Sequence, residues 1–181
     1  MFGKKIKFQN SSRLILGMIL LLILNLGCQR DDICSESTLI TPLLKISFLD
    51  FDANTEGDTI AKPVTNLSVR AEGDTVNYIN RVTTSEISIP LRTDVDATSY
   101  EFILNARDDD DTSEENIDII DFTYTRNQEY INRACSFRVT YINLTATVQD
   151  ETPTTNKWIK RIKIEQPTVE DETTTHISIF H

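Results

Sequence analysis

Alternating apolar and polar side chains occupy the segment Leu44-Lys45-Ile46-Ser47-Phe48-Leu49. A period of two places Leu44, Ile46 and Phe48 on one face of a β-strand, because successive side chains of a strand point to opposite sides. A strand of this kind buries one face and leaves the other in water. The segment therefore predicts a β-sheet with an apolar core on one side.

The same alternation recurs along the rest of the chain. The apolar positions are Ile87, Ile89 and Leu91; Tyr100, Phe102 and Leu104; Ile120, Phe122 and Tyr124; Cys135, Phe137, Val139 and Tyr141; and Trp158, Ile162 and Ile164. The closing stretch from His176 to Phe180 is also strand-like. With residues 62–70 and 75–82 this gives about nine short strands separated by turn-forming clusters. The pattern predicts an all-β fold, an antiparallel β-sandwich with immunoglobulin-like topology as the first choice.

One strand changes phase. The apolar positions run through Val139 and Tyr141 and then continue on the opposite parity at Ile142, Leu144 and Ala146. Since parity decides which face is buried, we expect a β-bulge or a change of sheet near Ile142.

The start of the chain has the organisation of a secretory signal. The apolar run from Leu14 to Leu24 follows four basic residues and ends shortly before Gly27-Cys28. This predicts a signal helix in residues 1–27 and a lipid on Cys28, as in bacterial lipoproteins. A membrane-spanning helix is an alternative, but it needs about 20 apolar residues. A plain cleaved signal is another, because Asn25 stands where such lipoprotein signals usually have leucine.

The residues after Cys28 carry a second targeting pattern. Gln29-Arg30-Asp31-Asp32 resembles the export signal that sends lipoproteins of the Bacteroidetes to the outer face of the outer membrane. The alternative is an ordinary charged tether that faces the periplasm. We expect a cell-envelope protein of the outer membrane, displayed at the surface.

The length and charge of the remaining chain limit its number of domains and its possible partners. Residues 28–41 form the lipidated cysteine and its tether, and residues 42–181 suffice for one sandwich domain. The signal holds four of the 18 Lys and Arg and none of the 28 Asp and Glu, so the mature net charge is −14. Nucleic acid and anionic head groups would be repelled by such a protein.

The cysteines indicate the redox compartment. With Cys28 assigned to lipid, Cys34 and Cys135 form an even pair in an oxidising environment, and we expect a disulfide between them. It would close a loop of about 100 residues and stabilise the fold by up to roughly 4 to 5 kcal/mol. Two buried free thiols are the alternative.

A combination of segments resembles a known but uncharacterised family. The segments are Cys28 with Arg30 to Cys34, Thr41-Pro42, Lys62 to Leu67, Cys135 to Phe137, Trp158 to Ile162 and His176-Ile177. Together they resemble small Bacteroidetes envelope lipoproteins that share a domain of unknown function. The resemblance implies an envelope lipoprotein with paired cysteines, and it implies no activity.

Catalytic patterns are scarce. The two histidines, His176 and His181, come near the end of the printed sequence, and we expect His176 to be a partly exposed residue at a strand end. No nucleophile elbow, phosphate loop or zinc-protease motif occurs. We therefore predict no catalytic residues and a non-enzymatic protein. A hydrolase built on two carboxylates is the alternative, and it requires acids that converge in a pocket with raised pKa values.

Acidic turns offer a calcium alternative. The first group is Asp50, Asp52 and Asn54, and the second includes Asp108 and Asp110. Oxygen ligands at alternate positions are typical of calcium loops, but the sixth position here is Thr55 instead of glycine. We expect solvated loops and no cofactor, with a structural Ca²⁺ as the competing hypothesis.

The remaining hypothesis is a binding or accessory module. Loops at one end of the sandwich would contact an envelope protein or glycan, and the membrane would be reached through the lipid. Exposed aromatic side chains outside the core are the feature to look for, with Phe51, Tyr78 and Tyr130 as the candidates.

Overall fold

The computed structural model describes residues 40–53, 59–107, 115–150 and 156–181 and the single positions Met18, Cys34, Ser35 and Thr38. Nine strands lie in these residues. They are β1 (Leu44–Leu49), β2 (Val64–Ala71), β3 (Ile79–Thr84), β4 (Glu86–Ile89), β5 (Ala97–Leu104), β6 (Asn116–Asn132), β7 (Ser136–Val148), β8 (Arg161–Ile164) and β9 (Ile177–Phe180).

The strands form two sheets with one core between them. One sheet has the order β4-β1-β9-β8 and the other has the order β3-β2-β5-β6-β7. Residues of both sheets join in a single apolar cluster. The structure confirms the all-β sandwich of nine strands, while the immunoglobulin-like topology stays a prediction. Within the described residues, no helix has the length and apolar character needed to cross a membrane.

One strand pair departs from the expected antiparallel arrangement. β1 and β9 are parallel, with Ile46 opposite Ile177 and Phe48 opposite Ile179. A hairpin turn forces antiparallel pairing, but β1 and β9 are joined by most of the chain and no turn fixes their direction. The parallel pair is central in its sheet, and β9 is accordingly buried along its whole length.

The predicted core faces are confirmed on most strands. Leu44, Ile46 and Phe48 are buried, as are the apolar positions of β4 and the central residues of β5 and β6. Aromatic rings meet at one end of the core, where Trp158 lies 6.4 Å from Phe48 and 5.6 Å from the ring of His181, measured between centroids. Large aromatic groups of this kind supply much of the area buried in a small sandwich.

The phase change in β7 occurs at a residue with left-handed backbone conformation. Asn143 has φ 57°, and burial passes from Tyr141 to Leu144 across it. The predicted change of buried face is therefore present in β7, at a residue with left-handed backbone conformation. Ile142 is exposed, so the change of face comes one residue later than the apolar pattern indicates.

Three buried tyrosines fix the segment that crosses from one sheet to the other. The hydroxyls of Tyr100, Tyr141 and Tyr124 donate to the carbonyls of Pro90, Leu91 and Arg92, at 2.7, 3.0 and 3.0 Å. Burial raises the pKa of Tyr100 and of Tyr141 to about 12. These bonds satisfy consecutive carbonyls where the chain leaves β4 for β5.

His176 is buried, and the expectation of a partly exposed strand-end residue is wrong. Its exposed fraction is 2 %. It precedes β9, and its backbone N–H donates to the carbonyl of Lys45 while its ring accepts from the N–H of the same residue. Apolar periodicity cannot identify a buried histidine whose ring accepts the hydrogen bond of a backbone N–H, as His176 does for Lys45.

The chain divides into two compact units. The larger comprises Leu39–Ile131 and Phe137–His181, and it contains the core described above. The smaller comprises Asn132–Ser136 with the described part of Met1–Thr38. In the smaller unit Cys34 and Cys135 form the predicted disulfide, with a Cα separation of 4.8 Å. The side chain of Asn132 accepts from the N–H groups of Ala134 and Cys135, which shapes the turn between β6 and β7.

Candidate functional site

The two longest strands form a hairpin that the sandwich covers only in part. β6 has 17 residues and β7 has 13, whereas β1 has six. Ile120, Phe122 and Tyr124 are buried, but from Thr125 onward no residue of β6 is buried. A strand exposed on both faces contributes little to a core. This part of the hairpin is therefore available for contact with a partner.

Tyr130 and Phe137 form an exposed aromatic pair on this part of the hairpin, which we call the aromatic pair. Each side chain is 55 % exposed, and the ring centroids lie 5.2 Å apart at an interplanar angle of 64°. Edge-to-face packing at this distance favours one arrangement of the two rings. Next to the pair, Arg138 Nε donates to Glu129 Oε2 at 2.8 Å. The result is a defined apolar projection beside an ion pair.

The sequence prediction for Phe137 is wrong. Periodicity placed it on the buried face of its strand with Val139 and Tyr141, and only the latter two are buried. Val139 and Tyr141 keep the predicted buried face, whereas Phe137 near the start of β7 does not. Phe137 lies on the exposed part of the hairpin with Tyr130, and the apolar pattern of a single strand does not show which part of that strand is covered.

Backbone groups on the free edge of β7 are occupied. The N–H of Val139 donates to Thr41 Oγ1 at 2.9 Å, and the N–H of Leu144 donates to the carbonyl of Pro167 at 2.9 Å. Between them, Tyr141 and Val169 exchange two backbone hydrogen bonds. An incoming strand would have to displace these contacts. Between Val139 and Leu144 this edge is therefore covered by the protein's own chain.

Phe51 and Tyr78 are also exposed, as is Tyr130, so all three aromatic candidates lie outside the core. Phe51 follows β1 and is 44 % exposed; Tyr78 precedes β3 and is 51 % exposed. Among described residues the aromatic contacts include no ring partner for either of these two. The aromatic pair differs from them because two rings present one surface.

The first calcium candidate is already partnered by protein groups. Asp50 Oδ1 accepts from the N–H of Asp52 at 3.1 Å and from Lys62 Nζ at 3.3 Å. The backbone hydrogen bond from Asp52 is the main reason that the pKa of Asp50 is lowered. In the part of the chain that the structure describes, no three His, Cys, Asp or Glu side chains group as metal ligands. The other candidates, Asn54, Asp108 and Asp110, lie outside the described residues, so the calcium hypothesis stays a prediction.

A pocket of about 220 Å³ is lined by two acids and a histidine. Glu170, Asp171 and His176 line it together with Gln166, Thr168 and Thr174. The side chain of Thr173 donates to Asp171, and this bond lowers the pKa of that carboxyl. Burial lowers the pKa of His176. A general acid needs a raised carboxyl pKa, which Asp171 does not have.

Comparison with known proteins gives one family. Residues 65–181 match a family of unknown function, DUF6452. The chain belongs to the DUF6452 family. No curated protein and no solved structure matches it.

The DUF6452 match contains the aromatic pair and Cys135, but it begins after Cys34 and after β1. β1 nevertheless lies between β4 and β9 in its sheet. The structural domain of this DUF6452 protein therefore includes β1 and begins no later than Leu44.

Apart from Met18, the predicted targeting residues lie outside the described part of the structure. They are the signal in residues 1–27, the lipidation site Cys28, and the export residues Gln29, Arg30, Asp31 and Asp32.

Proposed function

We propose that this DUF6452 protein is a lipoprotein of the outer membrane, anchored through Cys28, that acts as a non-catalytic binding module of the cell envelope. Its contact surface is the aromatic pair. The observation that carries the proposal is the exposure of Tyr130 and Phe137, stacked edge to face outside the core. An envelope of the Bacteroidetes type is part of the proposal and is supported by the segment from Gln29 to Asp32.

Two independent features support export and anchorage. The basic and apolar pattern before Cys28 is typical of a lipoprotein signal. A disulfide such as that between Cys34 and Cys135 is typical of proteins in oxidising compartments, since cytosolic thiols are kept reduced. Both features favour the same side of the inner membrane.

The chemistry of the aromatic pair supports contact with a partner. Aromatic side chains provide large apolar area at a low cost in conformational entropy and are enriched where proteins bind. The mature chain is otherwise strongly acidic, so an uncharged projection is a distinct feature of its surface. No chemical step is needed for such a role.

Labelling with a fatty-acid probe tests the anchor. We expect the wild-type protein to incorporate labelled palmitate and the C28A variant to remain unlabelled and uncleaved. A C34S variant is the matched control and should label normally. Intact mass spectrometry of an unmodified, unprocessed wild-type chain would remove the anchor from the proposal.

Site-specific photo-crosslinking in intact cells tests the contact surface. A photoreactive side chain at position 130 should give a discrete adduct with an envelope component. The same side chain at position 78, which is exposed to a similar degree, is the control. Equal labelling from the two positions, or none from position 130, would contradict a binding role for the aromatic pair.

A further inference from the structure

We infer that the partner of the aromatic pair is the lipid bilayer itself, with Tyr130 and Phe137 seated in the head-group region of the membrane that holds the Cys28 anchor. This inference rests on the proposed function, because it requires the lipid on Cys28. It adds the identity of the contacted surface and the orientation of the protein.

The first support is the length of chain between the anchor and the disulfide. Cys34 follows Cys28 by six residues, which span at most about 20 Å when extended. Cys34 is bonded to Cys135, in the turn that joins β6 to β7. Without this bond the first fixed point would be β1, 16 residues from Cys28 and up to about 55 Å away. The disulfide therefore keeps the β6–β7 turn close to the anchored residue.

The aromatic pair is near this turn along the chain. Phe137 follows Cys135 by two residues, a contour of at most about 7 Å, and Tyr130 precedes it by five. Phe51 and Tyr78 have no comparable link to the anchor in the sequence. Of the exposed aromatic groups described above, only Tyr130 and Phe137 are held near Cys28 by a short covalent path.

The second support is side-chain chemistry. Tyrosine combines an apolar ring with a hydroxyl and is enriched at the interface between lipid and water. Tyr130 and Phe137 are each 55 % exposed, so a polar group and an apolar ring are both available to the head-group region. A side chain of this kind gains from an environment that is wet at one end and apolar at the other.

The third support is the local charge. Residues 125–140 contain three arginines and a single acid, Glu129, whereas the whole chain has 28 Asp and Glu in 181 residues. Arg126 and Arg138 pair with Asp96 and Glu129. The overall negative charge opposes contact with anionic head groups, and three arginines against one acid make that opposition weaker at this hairpin than over the chain as a whole.

Contact with lipid at this hairpin would orient the domain. A lipid anchor alone holds a protein to the bilayer but leaves it free to rotate, and a second weak site removes that freedom. The gain in affinity is secondary, since a multiply acylated cysteine is already retained. The sheet face and loops at other positions would then keep a fixed direction relative to the membrane.

Tryptophan quenching in the full lipoprotein tests the inference. Wild type, F137W and Y78W are reconstituted in vesicles of phosphatidylethanolamine and phosphatidylglycerol with brominated acyl chains. Trp158 is common to all three, so its emission is subtracted. We expect the added emission of F137W to be quenched and blue-shifted and that of Y78W to be unaffected. Emission of F137W that brominated lipid leaves unchanged, or equal quenching at both positions, overturns the inference.

A tether variant tests the covalent argument without touching the fold. Six Gly and Ser residues inserted between Asp32 and Ile33 keep the lipid and the disulfide but double the path to Cys34. The quenching of F137W should fall towards that of Y78W. Unchanged quenching in this variant contradicts the role of the short tether.

The two proposals fail in different ways. A protein that mass spectrometry shows to be lipidated, but whose F137W emission is not quenched, loses only the bilayer as partner. An envelope protein or glycan attached by photo-crosslinking at position 130 would then identify the replacement. Absence of lipid on Cys28 would instead remove both proposals.

Discussion

The backbone N–H of Lys45 donates a hydrogen bond to Nδ1 of His176 across 3.0 Å. An accepting Nδ1 carries no proton, so the neutral ring holds its proton on Nε2. Protonation of Nδ1 would place two donors, the ring N–H of His176 and the backbone N–H of Lys45, against each other in a buried position. Desolvation is the main cause of the lowered pKa of His176; Asp171 and Glu172 oppose the shift, and Lys45 reinforces it.

Stability should therefore fall as the pH drops below neutrality. The unfolded chain takes up a proton near the ordinary histidine pKa of about 6.5, whereas folded His176 resists it. The contribution is fully present above that pH and is lost as the pH falls through the lowered pKa. His181 acts in the same direction, because burial lowers its pKa too.

The H176N variant isolates the histidine contribution. The Asn Oδ1 can accept from Lys45 N–H without titrating, so we expect lower overall stability but a shallower decline between about pH 7.5 and 5.5. Urea midpoints at several pH values measure this. A decline as steep as that of wild type would show that His176 is not responsible.

Removing one tyrosine hydroxyl should weaken the crossing between the sheets. In Y141F the carbonyl of Leu91 loses its donor in the interior, and we expect a loss of about 1 to 2 kcal/mol in the free energy of unfolding. Y130F is the control, since Tyr130 is exposed, and should lie within about 0.5 kcal/mol of wild type. Urea denaturation compares them, and equal values would argue against the role of this bond.

The left-handed conformation of Asn143 should make this position sensitive to backbone preference. Its φ of 57° is costly for most side chains and free for glycine. We expect N143A to lose about 1 kcal/mol and N143G to remain close to wild type. Thermal melting of the two variants checks the order, and a more stable N143A would contradict the left-handed conformation.

Reduction of the disulfide should be costly. The cross-link joins residues 101 apart, and loop-closure entropy predicts a loss of up to about 4 to 5 kcal/mol when it opens. Denaturant midpoints with and without reductant measure the effect. The C34S/C135S double variant is the control and should not respond to reductant. Identical midpoints for wild type in both conditions would show that the bond constrains little.

Much of the fold was predictable because it depends on local alternation. The faces of β1, β4, β5 and β6 follow from their apolar period, and the change of buried face in β7 follows from its interruption. The pairing of strands that are distant in the sequence was not predictable. Nothing in β1 indicates that its neighbour is β9, or that the two strands are parallel. Pairing of distant strands is decided by the whole packing arrangement.

The candidate site was predictable in part for the same reason. Tyr130 lies among polar residues, so its exposure could be predicted. Phe137 continues an apolar face, and its exposure could not be predicted from that face. A signal that could have found it is the unusual combined length of β6 and β7, the strands on either side of the turn that contains Cys135.

The central position of β9 has a consequence for synthesis. Lys45 and His176 are 131 residues apart, and β1 has only β4 beside it until β9 emerges. A two-stranded piece is marginal by itself, so this sheet closes late and the growing polypeptide stays open for most of its translation. Such delay suits passage through a translocation pore, which admits only chains that have not yet compacted.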